Sequence, residues 1–518
     1  MRKTYSISGE YLYIPVNTKA KEKNVSFFIQ EEEKAAEKWT QYRIAADESA
    51  GTEYSYDFMA ELPIGRFKGK KLIIEGDVPE SFLEHISISD KKDLPCASHS
   101  VIHFTIPRGW SNDPNGLVYQ NGIYHFYYQY NPFNLVWGNM SWGHAVSKDL
   151  LHWEQKDMVM FPDEEGTVYS GCGLVNERGM LDLPNDALLF YYTVAGGCNA
   201  WSEGKPFTQK IAYSLDGGET LIRMKEVCIP EVVHENRDPK IFWHEETQAY
   251  IMVLYLRGDE YAVFRSTDLK EWEQTQVIHL EDAWECPDLF CLTSEEGETC
   301  WFFWAADGFY YAGDFNGYQF AVFQEKHHAY LTKLPYAAQT YSNTGDRIIS
   351  IPWIRSKNEG KNYTGTYGIP VELSFERTEE NEILLIQKPV KELYEQMKPI
   401  QDERFVDNVN KFLYNGKECN HALVVKLQLN SQVCGDHAWK VNGMKMEYSA
   451  LSGTFIAGAE RIMAGYGFSE VMLIVDDGIL EVFFDNGRRY GVFELQDDRT
   501  SFEIDKDMVE ICEFYEVM

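Results

Sequence analysis

The sequence predicts an all-β chain: a repeated strand unit forms its middle, a small β-rich segment precedes it and short strands follow. Three observations carry this expectation. Patterning of period 2 dominates, as in Tyr124-His125-Phe126-Tyr127-Tyr128-Gln129-Tyr130 and Leu480-Glu481-Val482-Phe483-Phe484, short runs rich in side chains that favour strands. Long helical periodicity is scarce, its clearest candidates being Gln30 to Trp39 and Val390 to Met397. Finally, Ser147-Lys148-Asp149-Leu150-Leu151-His152-Trp153 recurs as Ser266-Thr267-Asp268-Leu269-Lys270-Glu271-Trp272. The offset of 119 residues fits two blades of about 50 to 60 residues in a propeller. Weaker copies lie at Ala212 to Gly218 and Tyr311 to Gly317; in each, a strand would end in a polar turn with the next aromatic packed between blades.

Length and composition bound the rest. The chain has 518 residues, room for about three domains of roughly 150 residues. Aromatics make up 14% and hydrophobic residues 44%, which excludes disorder as the main state. The formal net charge of −33 disfavours the phosphate backbone of a nucleic acid as partner. No stretch approaches the ~20 apolar residues of a membrane span, and Met1 to Glu10 lacks the apolar run of a secretory signal, so a cytoplasmic location is expected. The 10 Cys are too sparse for a disulfide scaffold and include no Cys-x-x-Cys pair, so buried reduced thiols are expected. Sequons at Asn24, Asn139 and Asn362 are then chance matches.

Residues 1 to about 95 lack the repeat and end in the polar run Ser87 to Asp93, as a small separate domain would; packing or a dimer contact is its plainest use. The charged stretch Gln387 to Arg404, with Pro389 and Pro399, separates the repeats from a C-terminal set of strands.

Three carboxylates stand in contexts suited to chemistry. Asp113 lies in Trp110-Ser111-Asn112-Asp113-Pro114-Asn115-Gly116, where Pro114 and Gly116 force a tight turn at a strand end. Asp238 lies in Asn236-Arg237-Asp238-Pro239-Lys240, where the two cations would favour its ionised form. Glu285 lies in Ala283-Trp284-Glu285-Cys286-Pro287, where desolvation between Trp and Cys would raise its pKa as a general acid requires. Each taken alone is as well explained by a plain turn, an exposed ion pair or an ordinary buried Glu. Together they outline a retaining glycosidase, whose two working carboxyls stand about 5 to 5.5 Å apart.

These motifs, in this order, resemble glycoside hydrolase family 32, the β-fructofuranosidases, invertases, inulinases and levanases. Further agreement comes from Gln129-Tyr130-Asn131-Pro132-Phe133, Trp137 to Ala145, Tyr169-Ser170-Gly171, Tyr336-Ala337-Ala338-Gln339, Gln387-Lys388-Pro389-Val390 and the stretch from Val475-Asp476-Asp477 to Arg488. Ser111, Tyr169 and Pro352 depart from the family's usual Met, Phe and Gly. The resemblance covers about residues 100 to 518. It implies a five-bladed β-propeller over 96–392, a linker over 393–400 and a β-sandwich over 401–518, with residues 1–95 an added N-terminal domain. It implies Asp113 as nucleophile, Glu285 as general acid/base and Asp238 as transition-state stabiliser. Asn112, Gln129, Trp137, Tyr169, Ser170, Arg237, Tyr336 and Trp353 would line the fructose subsite, and no metal or organic cofactor is needed. The implied activity is exo-acting release of terminal fructose from sucrose, fructo-oligosaccharides or fructans. Sucrose-6-phosphate hydrolysis and fructosyl transfer share the scaffold, family 43 arabinosidases and xylosidases share a propeller with three acids but invert, and a non-catalytic carbohydrate-binding propeller is the reading from another class. Oligomeric state stays open.

Overall fold

The computed structural model describes residues 1–46, 54–91, 100–416, 421–433, 435–496 and 500–518. Five sheets of four or five strands form the middle of the chain, each built on four antiparallel strands taken in chain order, which is the blade order of a propeller. Their innermost strands are Gly109–Gln120, Thr167–Val175, Arg237–His244, Asp288–Thr293 and Pro335–Thr340. The ring closes where Tyr363–Thr364, leaving the fifth blade, pairs in parallel with Gly109 and Trp110 of the first.

The repeated segments have one structural job. Ser147, Ser214, Ser266 and Phe315 each end the third strand of a blade. In the first three, the Ser hydroxyl donates to the Asp two positions on, at 2.7 to 3.1 Å, and that carboxylate accepts backbone N–H groups of the turn. Asn316 accepts from the N–H groups of Tyr318 and Gln319 in the fourth. The residue after the acid or amide has positive φ every time: Leu150 65°, Gly217 72°, Leu269 63° and Gly317 85°. An Asx turn followed by a left-handed residue reverses the chain toward the outer strand. Trp272 of the third blade then meets Tyr191 of the second edge-on at 6.1 Å.

Two further sheets, of six and seven strands, follow the propeller and enclose an aromatic core that includes Tyr414, Trp439, Phe455 and Phe484. The strand pair Lys398–Pro399 joins the six-stranded sheet by pairing with Tyr515 and Glu516, so the sandwich takes up the chain three residues earlier than the expected linker allows. The short helix Lys391–Gln396 occupies the expected second helical candidate. The first candidate is not helical. Glu22–Gln30 and Glu37–Ala45 are paired strands, and the helix formers between them make only their turn. Six such residues fall short of the ~12 or more an isolated helix needs, whereas Phe27, Ile29 and Tyr42 gain burial by pairing.

Before the propeller, a four-stranded and a three-stranded sheet use residues 2–89. Their apolar cluster is continuous with the first blade, Tyr42 meeting Phe133 at 4.7 Å. The expected boundary near residue 95 lies outside the described residues, as do positions 92 and 93 of the polar run.

The propeller and sandwich are joined through a buried ionic cluster. Asp476, on the sandwich strand Glu470–Asp476, accepts from Ser100 Oγ (2.6 Å), the N–H groups of Val101, Ile102 and His103, and His103 Nδ1 (3.0 Å). Glu481 Oε1 lies 3.2 Å from His103 Nε2 and accepts from Ile369 N at 2.9 Å. Burial disfavours charge on His103 and Asp476, but these bonds outweigh it: His103 is raised to about 10 and Asp476 lowered to about 2. His103→Gln leaves the buried Asp476 carboxylate without its cation and should cost about 3–5 kcal/mol in chemical denaturation at pH 6. The His103 contribution is complete below its unfolded value of 6.5 and is lost as pH rises through about 10. That of Asp476 is complete above 3.8 and is lost as pH falls through about 2. The gap between wild type and variant should therefore be widest between about pH 4 and 6.5 and shrink on both sides; a gap independent of pH would contradict this assignment.

Candidate active site

The inner strands break register at the end of the propeller where the three acids lie. In the first blade Ser111 pairs with Tyr130 and Pro114 with Tyr128, leaving Asn112 and Asp113 opposite the single residue Gln129. In the second, Tyr169 and Ser170 stand opposite Thr193. In the third, Asp238 and Pro239 stand opposite Leu254, and in the fifth, Ala337 and Ala338 stand opposite Pro352. Two residues against one is a β-bulge, which releases both from the ladder and re-aims their side chains. The fourth blade reaches the same end differently: Glu285 and Cys286 precede the strand with positive φ, 49° and 36°. Asp238 has φ 64°, a conformation disfavoured for a residue with a Cβ.

One cavity of about 340 Å³ collects these residues, within the range of roughly 300–1,000 Å³ usual for small-molecule sites. All eleven residues singled out from sequence line it: Asn112, Asp113, Gln129, Trp137, Tyr169, Ser170, Arg237, Asp238, Glu285, Tyr336 and Trp353. A groove of about 250 Å³ at the propeller–sandwich seam, lined by Tyr394, Lys426 and Met472, holds none of them.

The floor is buried and its polar groups are tied together. Ser170 Oγ donates to Asp113 Oδ2 at 2.6 Å, and Trp110 Nε1 to Asn112 Oδ1 at 2.9 Å. Arg237 Nη2 donates to Glu285 Oε1 at 2.8 Å, while its Nε lies 3.7 Å from Asp238 Oδ2. Tyr336 donates to Glu285 Oε2 at 3.3 Å. Cys286 sits among the acids, Sγ 3.6 Å from both Asp113 Oδ2 and Asp238 Oδ2, with its N–H donating to Asp238 at 3.3 Å. Gln129 Nε2 and Trp353 Nε1 are buried with no hydrogen-bond partner among the described residues, so both are donors open to a polar ligand.

Burial raises the pKa of Asp113, with Ser170 opposing and Glu285 adding repulsion. Asp238 is pushed up to about 7, chiefly by burial; Arg237 opposes, and Glu285 and Asp113 add to the rise. The expectation that two cations would keep Asp238 ionised is thus corrected. Lys240 does not serve it: its ammonium lies 3.1 Å from Asp288 and donates to Thr340, so of the two cations only Arg237 opposes burial, helped by the N–H of Cys286. Glu285 is also less enclosed than expected, its side chain 25% exposed, because Trp284 is itself 46% exposed and packs on Tyr255 at 5.7 Å.

Sequence reasoning missed Met140, Cys198, Phe207 and Glu235 in the lining, and Thr193 beneath it. Thr193 Oγ1 accepts from the N–H of Asp238 at 3.0 Å and donates to Gln209, which donates on to the carbonyl of Asn236. A signal existed: Thr193 is the one non-aromatic polar residue in the strand Leu188–Ala195.

Residues 103–389 match the family model described as the glycosyl hydrolases family 32 N-terminal domain. A levanase of Bacillus subtilis is 34% identical over 325 residues, 56% of this chain and 46% of that protein. An invertase of Debaryomyces hansenii is 35% identical over 300 residues, 51% of this chain and 54% of that protein. The chain thus spans about half the length of these relatives. In fold, it is similar to a fructofuranosidase from Schwanniomyces occidentalis, solved with fructosylnystose, at a TM-score of 0.70 and 23% identity over 83% of this chain and 99% of that one. A family 32 structure from Bifidobacterium adolescentis, at 0.66 and 16% identity, covers 99% of both chains, the N-terminal sheets included. With more than half of its length matched by the family model and the three acids gathered at one end of the propeller, the chain belongs to glycoside hydrolase family 32.

Proposed function

We propose that the protein is a retaining, exo-acting β-fructosidase that releases terminal fructose from sucrose, fructo-oligosaccharides or fructans. The observation that carries this reading is the placement of Asp113, Asp238 and Glu285 around one cavity whose floor is buried and whose mouth holds the exposed Trp137. A closed floor admits a chain end rather than a chain interior. The names of the relatives, levanase and invertase, point the same way for those proteins.

Asp113 attacks C2 of the fructosyl unit while Glu285 gives its proton to the departing glycosidic oxygen, producing a covalent fructosyl-enzyme. Glu285, now a carboxylate, takes a proton from the incoming water; the hydroxide bonds to C2, fructose departs, and both carboxyls regain their starting state. The hydrogen bond from Ser170 fixes Asp113 and favours its ionised, attacking form, offsetting part of the effect of burial. Arg237 and Tyr336 hold one oxygen each of Glu285, which fixes the carboxyl at the cavity wall. Asp238 and Arg237 grip the sugar hydroxyls, and Gln129 and Trp353 supply the unfilled donors.

Purified protein should release fructose from at least one of sucrose, 1-kestose, inulin and levan, with the β-anomer as first product by NMR. Asp113→Asn and Glu285→Gln should each lower kcat by about 10³-fold or more. An inverted first product would replace the mechanism with that of inverting propeller enzymes. Transfer products at high sucrose would mark a fructosyltransferase, and turnover of phosphorylated sucrose alone a sucrose-6-phosphate hydrolase. Release by an unimpaired Asp113→Asn would remove Asp113 as nucleophile. Thr193→Val leaves the buried N–H of Asp238 unpaired, at a cost of about 1–3 kcal/mol. It should reduce kcat about tenfold with the melting temperature lowered by only a few degrees; unchanged kcat would show that Asp238 is held without it.

A further inference from the structure

The N-terminal sheets touch the cavity through the turns that frame its mouth. Trp137 and Met140 lie on the turn after the second strand of the first blade, and Cys198 lies on the turn that follows Leu188–Ala195. Both turns rest on one N-terminal strand, Glu37–Ala45. On the first, the buried side chain of Asn139 accepts from Arg43 N at 2.8 Å and donates to Arg43 O at 2.7 Å and Asn131 Oδ1 at 3.0 Å. An amide side chain thus imitates a β-bridge between the two parts of the chain, which also rules Asn139 out as a glycosylation site. The guanidinium of Arg43 fills the space beside Gly138, its Nη2 2.8 Å from where a Cβ would stand. On the second turn, Trp201 N donates to Gln41 Oε1 at 3.2 Å, and the Trp201 ring lies 5.7 Å from Phe28 and 5.0 Å from the ammonium of Lys38. Between the two turns the exposed indole of Trp137 meets Tyr169 edge-on at 5.9 Å, and the hydroxyl of Tyr169 lies 3.5 Å from Cys198 Sγ.

We infer that the N-terminal domain is a working part of the pocket: by clamping these two turns it positions Trp137 and Cys198 and so sets how the mouth receives the neutral sugar attached to the bound fructosyl unit. The floor is buried and closed, so whatever is attached to that unit leaves by the mouth, where Trp137 offers a flat apolar face to a sugar ring. The nature of this ligand rests on the function proposed above; the clamp rests on the contacts alone. Gln41 and Asn139 are positioning residues, as is Arg43 through its main chain, since none of the three lines the cavity.

The test compares wild type, Gln41→Ala/Asn139→Ala, which removes the side chains that bond the two turns to the strand, each single variant, and Lys19→Ala, an exposed site on the same domain. The double variant should raise KM for sucrose and 1-kestose by about fivefold or more, with kcat and the inhibition constant of free fructose changed less than about twofold. Amide exchange should quicken in 136–140 and 196–202 but not in the third and fourth blades, and Lys19→Ala should match wild type in every readout. Unchanged KM with unchanged exchange would overturn the proposal, as would a fructose inhibition constant rising in step with KM, which would mean a general loosening. Should the wild type cleave no β-fructoside, the proposed function would fall and the exchange pattern alone would decide the clamp.

Discussion

The site depends on broken register at one end of the inner strands. In an unbroken ladder, side chains alternate toward the two faces of a blade, and those faces are covered by neighbouring blades. A bulge puts two residues against one and frees a pair; Asn112 and Asp113, Tyr169 and Ser170, and Asp238 all reach the cavity by this device. The cost is local strain of order 1–3 kcal/mol where a residue with a Cβ is left at positive φ, as at Asp238 and Ala337. Fixed partners hold the strained backbone: Thr193 under Asp238, and the carbonyl of Ala306 for Ala337.

Electrostatics follows from this crowding. Asp113, Asp238 and Glu285, with the more exposed Glu235 beside them, line one cavity with one guanidinium, that of Arg237, because the nearby Lys240 is committed to Asp288 and Thr340 across the third, fourth and fifth blades. Burial and mutual repulsion therefore both disfavour ionisation, and Asp113 and Asp238 rise. The Asp476–His103 pair shows the opposite balance: enough donors surround the buried Asp476 for its ionised form to win.

Much of this was legible in the chain for one physical reason. Proline cannot donate a ladder hydrogen bond and sits in sheets at bulges or strand starts; Pro114 and Pro239 each follow a bulged acid, and Pro287 precedes the fourth inner strand. The residues that made the three motifs conspicuous also build the breaks that deliver the acids. The blade repeat was legible because Ser-x-Asp turns need particular side chains. What stayed hidden is set by tertiary contact. Lys240 adjoins Asp238 in sequence yet pairs elsewhere, the helix formers after Gln30 were overruled by strand pairing, and the contacts of Gln41 and Arg43 with the rim join residues far apart in the chain.

The claim on which everything turns is that the bulged Asp113 attacks the sugar. The most direct test is to acid-quench the enzyme during turnover of a fructoside, digest it and locate any sugar by mass spectrometry. The account predicts one hexosyl ester on the peptide bearing Asp113, more of it when Glu285→Gln slows the water step behind an activated leaving group. An ester on Asp238 or Glu285 instead, or no adduct alongside an inverted first product, would contradict it.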